Sequence, residues 1–473
     1  MCPSVRVRTA NIAALWRLCA LLLLCACSIP RAQAKATLFL EEPYSYDGAL
    51  AGTGHAAIYL SGVCAETPVK LRLCRPDETG VVLSRYHRVA GYDWIAIPLI
   101  PYLYAVENEE DIPLFADKKM VAFLRDHYRR DHLGTLIPDF SNGATPPGDW
   151  YELVGASYLR TIYAYEIETN SQLDAALIAK LNRGPNHDRF NLVTANCSDF
   201  VRGIIDFYHP HAVHRSIVGD LGVTTPKQLA RTLSKYNRHH PELQSASFVI
   251  VQVPGTTPRS KPVHGVTECA LTAKKYMLPL FVLHPYVAGS LIAGYLGHGR
   301  FDPSKNAMIL NADDELDVPP TRADRRNFQS RLHELTQSEM NLSSASSSVS
   351  AEGHRWESRL AGAEPTFDAA GQPALYLRGD GELAGVGVTR SNILDDAASD
   401  FTIGLVEARL REELKPATIR KTARSDVQND LLLLQHLLTL QARGLTAAPS
   451  SEASYGTERA PANDSAARSN PIP

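Results

Sequence analysis

The sequence predicts an α+β protein, an antiparallel sheet packed with helices and followed by a small C-terminal α/β module. Three observations carry this. Short apolar runs of strand length alternate with turn-forming clusters in the first third of the chain. Segments with helical spacing are interleaved with later apolar runs, which suits helices laid on an antiparallel sheet. A Ser-rich stretch, 342–353, separates a last module from the rest. The 473 residues correspond to about three domain-sized units. The hydrophobic content of 44% is enough for a sizeable core.

The elements follow in order. Residues 1–34 read as a signal peptide: Arg6, Arg8 and Arg17 supply positive charge, Leu18 to Cys27 is a short apolar core, and Ala32-Gln33-Ala34 is a cleavage site. Lipidation at Cys27, within Leu24-Cys25-Ala26-Cys27, is the competing reading. A main domain is expected over 35–255. Strands are expected at 37–40, 55–63, 69–75 and 81–88, the last three as a meander turning at Glu66-Thr67-Pro68 and at Pro76 to Gly80. A helix at 117–129, a loop at 138–150, a strand at 159–168 and a helix at 171–182 come next. The run Phe190 to Cys197 is expected to be a strand that leads into a helix beginning at Cys197.

Tyr276 to Gly297 is 22 residues without Lys, Arg, Asp or Glu, which is long enough to span a bilayer. Pro279, His284 and Pro285 interrupt it. The preferred reading is a buried helical hairpin broken at His284-Pro285, within a segment 256–302 that also allows membrane association. A charged helix at 320–340 and the linker fill 303–354. The module at 355–442 has strands near 374–378 and 384–388 and a Leu-rich helix from Asp426 to Ala442. Residues 446–473, rich in Ser, Ala, Pro and Glu, read as disordered, so the tail is placed at 443–473.

The net charge of −3 implies no general attraction to nucleic acid. No phosphate-binding Gly-rich loop, His-Glu-x-x-His or paired Cys-x-x-Cys occurs, so neither metal nor cofactor is expected. The trio His209, His211 and His214 reads as solvated rather than metal-binding. With the leader removed, Cys64, Cys74, Cys197 and Cys269 remain. Cys64 and Cys74 flank a β connection and form the natural disulfide pair of an exported protein. A Cys197–Cys269 bridge is the alternative, because sequence cannot fix connectivity.

Cys197 and His55 are the candidate catalytic residues. Asn196 is a good N-cap, which places Cys197 in the first helical turn, where the helix dipole favours a thiolate and a depressed thiol pKa. His55 opens the apolar run Gly54-His55-Ala56-Ala57-Ile58-Tyr59-Leu60 and could act as its base.

The strings His-Ala-Ala-Ile-Tyr-Leu and, much later, Asn-Cys-Ser-Asp-Phe-Val resemble the circularly permuted branch of the papain-like (NlpC-type) thiol hydrolases, which includes the lecithin:retinol acyltransferase-like proteins. The resemblance covers residues 38–210. It implies a permuted papain-like core and a Cys197 thiolate that attacks an amide, such as one in a cell-wall peptide, with His55 as proton acceptor. It also allows acyl transfer or ester hydrolysis on lipids. A non-catalytic envelope protein on the same scaffold is the contrasting expectation. The family takes its imidazole-orienting group from the strand paired with the His strand. A hairpin centred near Glu66 would place Asp77 there, with Glu66 as the alternative; the second His of the acyltransferase-like relatives is missing. Asn191 matches the spacing of the papain-like oxyanion residue, and Tyr44 and Tyr46 are further donors. The expected setting is the periplasm or envelope, with a peptide or other amide or ester substrate. Membrane association through 276–297 or a lipidated Cys27 is allowed for.

Overall fold

The computed structural model describes residues 34–44 and 53–310, apart from 88, 217–219, 221, 244, 254, 256, 273, 297–300, 304 and 306; it also describes 322–342, 362–378, 383–389 and scattered positions between 403 and 438. The leader, Cys27, Tyr46 and the tail lie outside the described residues.

The first strand, β1 (Lys35–Glu41), begins at the residue after the expected cleavage site. It becomes the centre of the sheet because both its faces are apolar: Leu38 and Leu40 on one side, Phe39 on the other, all buried. It pairs antiparallel with β2 (His55–Leu60) and with β7 (Ile162–Glu168). Beyond β2 lie β5 (Val81–Ser84) and β6 (Ile95–Pro98); beyond β7 lie β8 (Ser247–Ile250) and β9 (Met308–Leu310). The seven strands run β6-β5-β2-β1-β7-β8-β9, all neighbours antiparallel except β8 and β9.

The expected meander is corrected here. Residues 63–73 leave the main sheet as their own hairpin, β3 (Val63–Thr67) and β4 (Lys70–Leu73), and β5 returns to pair directly with β2. Gly80 permits this return, since a Cβ there would overlap the carbonyl oxygen of Leu60. The Cys64–Cys74 disulfide closes the base of the excursion, with Cα atoms 4.9 Å apart, as the sequence predicts. Cys197 and Cys269 are free thiols.

Helices cover both faces. Short α1 (Leu99–Tyr104) and longer α2 (Lys118–His132) pack on the face carrying Phe39, Ala57 and Val82. On the opposite face lie α3 (Ser171–Arg183), α4 (Cys197–Tyr208) and α5 (Pro226–His239), which bury Phe200, Val201, Ile204, Ile205, Leu229 and Leu233 against Leu38, Ile58 and Leu60. Helical spacing of apolar residues and N-caps at Asp117, Asn170, Asn196 and Thr225 explain why these segments coil.

Two further expectations are corrected. Residues 190–196 form a tight loop, not a strand. The Asn191 side chain accepts the N–H groups of Val193 (2.9 Å) and Thr194 (3.1 Å), and Asn191 and Ala195 exchange backbone bonds, which folds the run back on itself. Leu192 is consequently 74% exposed. The apolar segment does form a hairpin, preceded by α6 (Val266–Thr272): α7 (Lys274–Leu283) and α8 (Pro285–Gly294) break at His284. It is not buried, however. Phe281, Val282, Leu283, Tyr286 and Val287 stand in solvent. No helix among the described residues is long and apolar enough to cross a membrane.

The charged helix is α9 (Arg322–Leu342). The C-terminal module holds β10 (Glu364–Phe367), β11 (Pro373–Arg378) and β12 (Leu383–Gly387) in a separate sheet. It docks on α2: Phe367 meets Phe123 with ring centroids 4.9 Å apart, and Lys119 reaches Glu364 at 3.2 Å. Of the Leu-rich helix, Val427, Leu431, Leu434, Gln435 and Leu438 are described, each helical.

Candidate active site

Cys197 is the first residue of α4, and its position is built with care. Asn196 caps the helix by accepting the Asp199 N–H at 2.9 Å, while the Asp199 carboxylate accepts the Asn196 N–H at 3.4 Å, a reciprocal capping box. Asn196 also donates to the carbonyls of Leu192 and Thr224, each at 3.0 Å. Arg215 and Thr224 hold Asp199 at 2.7 and 2.6 Å. The half-buried sulfur rests against the backbone N–H of Ala56, the residue after His55, and 4.0 Å from the Ser198 hydroxyl.

His55 is placed by Gly54, whose φ of +78° lets the chain turn tightly into β2; a Cβ at Gly54 would overlap the carbonyl oxygen of Glu41. The imidazole Nε2 is 2.6 Å from the Ser84 hydroxyl. Its ring stacks on Tyr86, 4.4 Å between centroids. Strand alternation sets this environment. Ala57 pairs with Ser84, so His55, Ala57, Ser84 and Tyr86 share one face of the sheet. The Cys197 helix packs on the other face, over Ala56, Ile58 and Leu60. Among the described residues no hydrogen bond joins the Cys197 sulfur to His55, whose Nδ1 likewise has no hydrogen-bond partner there.

Beneath His55 lies a buried charged network. Glu41, opposite His55 in the register, is bonded by the Tyr102 hydroxyl and by Arg160 at 3.1 Å. Arg160 also holds Glu152 at 2.9 Å and lies 4.5 Å over the Tyr44 ring, whose hydroxyl donates to Glu152 at 3.0 Å. Tyr86 donates to the Glu152 carbonyl at 2.9 Å. Burial pushes the Glu41 carboxyl up, opposed by Arg160 and Tyr102. Burial, aided by Arg160, holds the His55 imidazole well below its usual value. Burial likewise pushes the Cys197 thiol up, and the amides of Ala56 and Ser198 only partly offset it. The depressed thiol pKa expected from the helix start is thereby corrected: desolvation outweighs the favourable amides, and the resting groups are thiol and neutral imidazole.

The other candidates fall elsewhere. Asp77 sits exposed in a turn with φ of +69°, and Glu66 is exposed and paired with Lys70 at 2.9 Å. Neither is the partner of His55, because β2 pairs with β5 rather than with the 63–73 hairpin. Ser84 holds that position. Asn191 is exposed, its side-chain oxygen used by its own loop, and so is not placed as an oxyanion donor. The imidazoles of the His trio diverge: His209 meets the Glu168 carbonyl at 2.8 Å, while His211 and His214 face solvent. Among the described residues, the His, Cys and carboxylate groups close enough to share an ion are Cys64, Cys74 and Glu78, whose sulfurs are already disulfide-bonded. Sequence reasoning missed Ser84, Tyr86 and Arg160. Ser84 and Tyr86 were discoverable from a correct strand pairing; nothing local marks Arg160.

No protein-family model matches the chain, and no curated protein matches it. Among solved structures, the crystal structure of a type VI secretion system effector, TseH, is similar over 46% of this chain and 94% of that chain, with 14% identity and a TM-score of 0.22. A likeness of that size carries no argument about chemistry, which has to rest on the residues themselves.

Proposed function

We propose that the protein is an exported thiol hydrolase of the permuted papain-like type, which cleaves amide bonds such as those of cell-wall peptides. The observation that carries this reading is the Cys197 sulfur at the start of a capped helix, resting on the N–H of the residue next to His55. Ser84 at Nε2 supplies the orienting group that a catalytic imidazole needs, which leaves Nδ1 to take the thiol proton. Since both groups rest uncharged, the proton leaves sulfur as the S–C bond to the substrate carbonyl forms. His55 then passes that proton to the departing amine, and water, deprotonated by His55, releases the acyl group from sulfur. The step requires His55 and Cys197 to meet, whereas at rest His55 lies on the opposite face of β2 from the Cys197 helix. The disulfide suits an oxidising compartment. The same pair could act on lipid esters, a variant favoured by the exposed apolar hairpin.

The second reading is a non-catalytic envelope protein on a hydrolase-like scaffold. It is favoured by the engagement of His55 with Ser84 and by the neutral resting state of both candidates. Mass-spectrometric trapping separates the two. A peptide amide or ester substrate quenched in acid should leave an acyl group on Cys197 in the wild type, accumulate less on Ser84→Ala, and leave none on His55→Ala. Iodoacetamide labelling that is equal in all three proteins, with no acyl adduct from any substrate, would assign Cys197 to structure.

A further inference from the structure

The charge-free segment 276–297 is a hairpin with an exposed tip. Its tip carries Val282 at 78%, Leu283 at 70% and Tyr286 at 88% exposure, flanked by Phe281 and Val287. So many contiguous large apolar side chains in water call for an occupant. The dimensions point to which one. Each helix has ten residues and is therefore about 15 Å long, about half of a bilayer's ~30 Å hydrocarbon core. That is too short to span and matches the depth of one leaflet.

The backbone at the break is suited to an apolar medium. The His284 N–H donates to the Leu280 carbonyl at 2.8 Å, and the N–H groups of Val287 and Ala288 donate to the His284 carbonyl at 3.1 and 3.2 Å. Pro285 has no N–H to satisfy. The Ser290 hydroxyl returns to the Tyr286 carbonyl at 2.9 Å. These bonds satisfy part of the turn's backbone internally, while the His284 imidazole stays exposed between Leu283 and Tyr286.

A second, independent feature lies at the base of the hairpin. Tyr295, just past α8, lines a cavity of about 1050 Å³ with Lys227, Arg231, Arg238 and Lys305. Among the described residues, the lining sets two carboxylates, Glu268 and Asp302, beside these four cations; Glu268 is bonded by Lys227 at 2.6 Å, and Asp220 lies near Lys227 and Arg231. The lining therefore keeps a net positive charge, and Tyr295 places it at the base of the hairpin, the end away from the apolar tip.

We propose that this hairpin docks the protein on an anionic phospholipid leaflet, with the tip in the acyl layer and the basic cavity against headgroup phosphates. Basic groups at the headgroup level and an apolar face below it are the two components of interfacial membrane binding. The proposal is independent of the thiol chemistry.

Co-sedimentation of the full chain with vesicles tests it. Binding should be stronger to an equimolar mixture of phosphatidylcholine and phosphatidylglycerol than to phosphatidylcholine alone, by about tenfold. The double substitution Val282→Ser with Leu283→Ser should abolish binding to both. Arg231→Gln with Arg238→Gln should remove the preference for the anionic vesicle while leaving the residual apolar binding. Should the tip pair fail to fold, Phe281→Ser reports on the same surface. Soluble glycerol phosphate should not compete, since the lipid and not free phosphate is the ligand. Vesicle binding that survives the tip substitutions, absence of binding to either vesicle, or concentration-dependent self-association lost on those substitutions without vesicle binding would each overturn the proposal. The last outcome would give the hairpin to a second copy of the chain.

Discussion

Two apolar runs of this chain end in opposite environments. Residues 55–60 enter the middle of the sheet, and every side chain except that of Tyr59 is buried. Residues 281–287, equally apolar, stand in solvent. The difference lies in what surrounds each. The strand meets apolar partners on both faces, while its one polar residue, His55, meets Ser84, Tyr86 and the Glu41–Arg160 network. The hairpin meets itself and the adjoining α6. Around His55, therefore, each group depends on its neighbours; at the hairpin tip almost nothing in the folded chain does. Substitutions should show this as a steep gradient of stability.

The largest effect is expected from Arg160→Met. It leaves buried Glu41 and half-buried Glu152 without their cation, and breaking a buried pair from one side costs about 3–5 kcal/mol. Urea denaturation measures it; a loss under 1 kcal/mol would show that the network is dispensable.

Gly54→Ala should come next, at about 2 kcal/mol, because the residue would hold a left-handed conformation with its Cβ against the Glu41 carbonyl. The same urea experiment reads it, and Gly143→Ala provides the control. Gly143 also has positive φ but nothing within 4 Å of an added Cβ, so any excess at Gly54 reports the close approach.

Acid should act through the first of these regions. The folded His55 pKa lies well below 6.5, so the unfolded chain binds the proton that the buried imidazole refuses. Stability is then fully present above about 6.5 and falls as pH drops from there toward the folded value. His55→Gln should flatten that part of the stability curve. The raised Cys197 pKa predicts iodoacetamide labelling that climbs above the ~8.5 of an ordinary thiol rather than below it. Rapid labelling at neutral pH would show that the helix start prevails over burial.

The smallest effect is expected at Val282→Ser, within about 0.5 kcal/mol of the wild type, as for other surface positions. A substantial loss would mean that the tip packs against part of the chain after all, and the contrast between the two regions would disappear.

Much of this was legible before any coordinates. Period-two and period-3.6 patterns located β1, β2, β7 and the helices near 118, 171 and 197, because burial of one face imposes a period on the residues themselves. Asn196 announced its cap, and the close spacing of Cys64 and Cys74 announced their bridge. The errors share one cause. Whether 190–196 was a strand depended on Asn191 turning back on its own backbone. Whether Asp77 lay opposite His55 depended on which strand β2 chose as neighbour. Whether 281–287 was buried depended on what the rest of the chain placed against it.

The sequence by itself determined the local elements and the capped start of the Cys197 helix, and it marked Cys64 and Cys74 as the natural pair, since each follows from propensities and spacings within a few residues. Only the tertiary structure decided that β5 returns past the 63–73 hairpin to set Ser84 on His55, that Arg160 ties Glu41 to Glu152 beneath it, and that His55 and the Cys197 helix occupy opposite faces of one strand. These are pairings between residues tens of positions apart. Their choice is made by the collective burial of both faces of the sheet, a quantity that no local window of sequence contains.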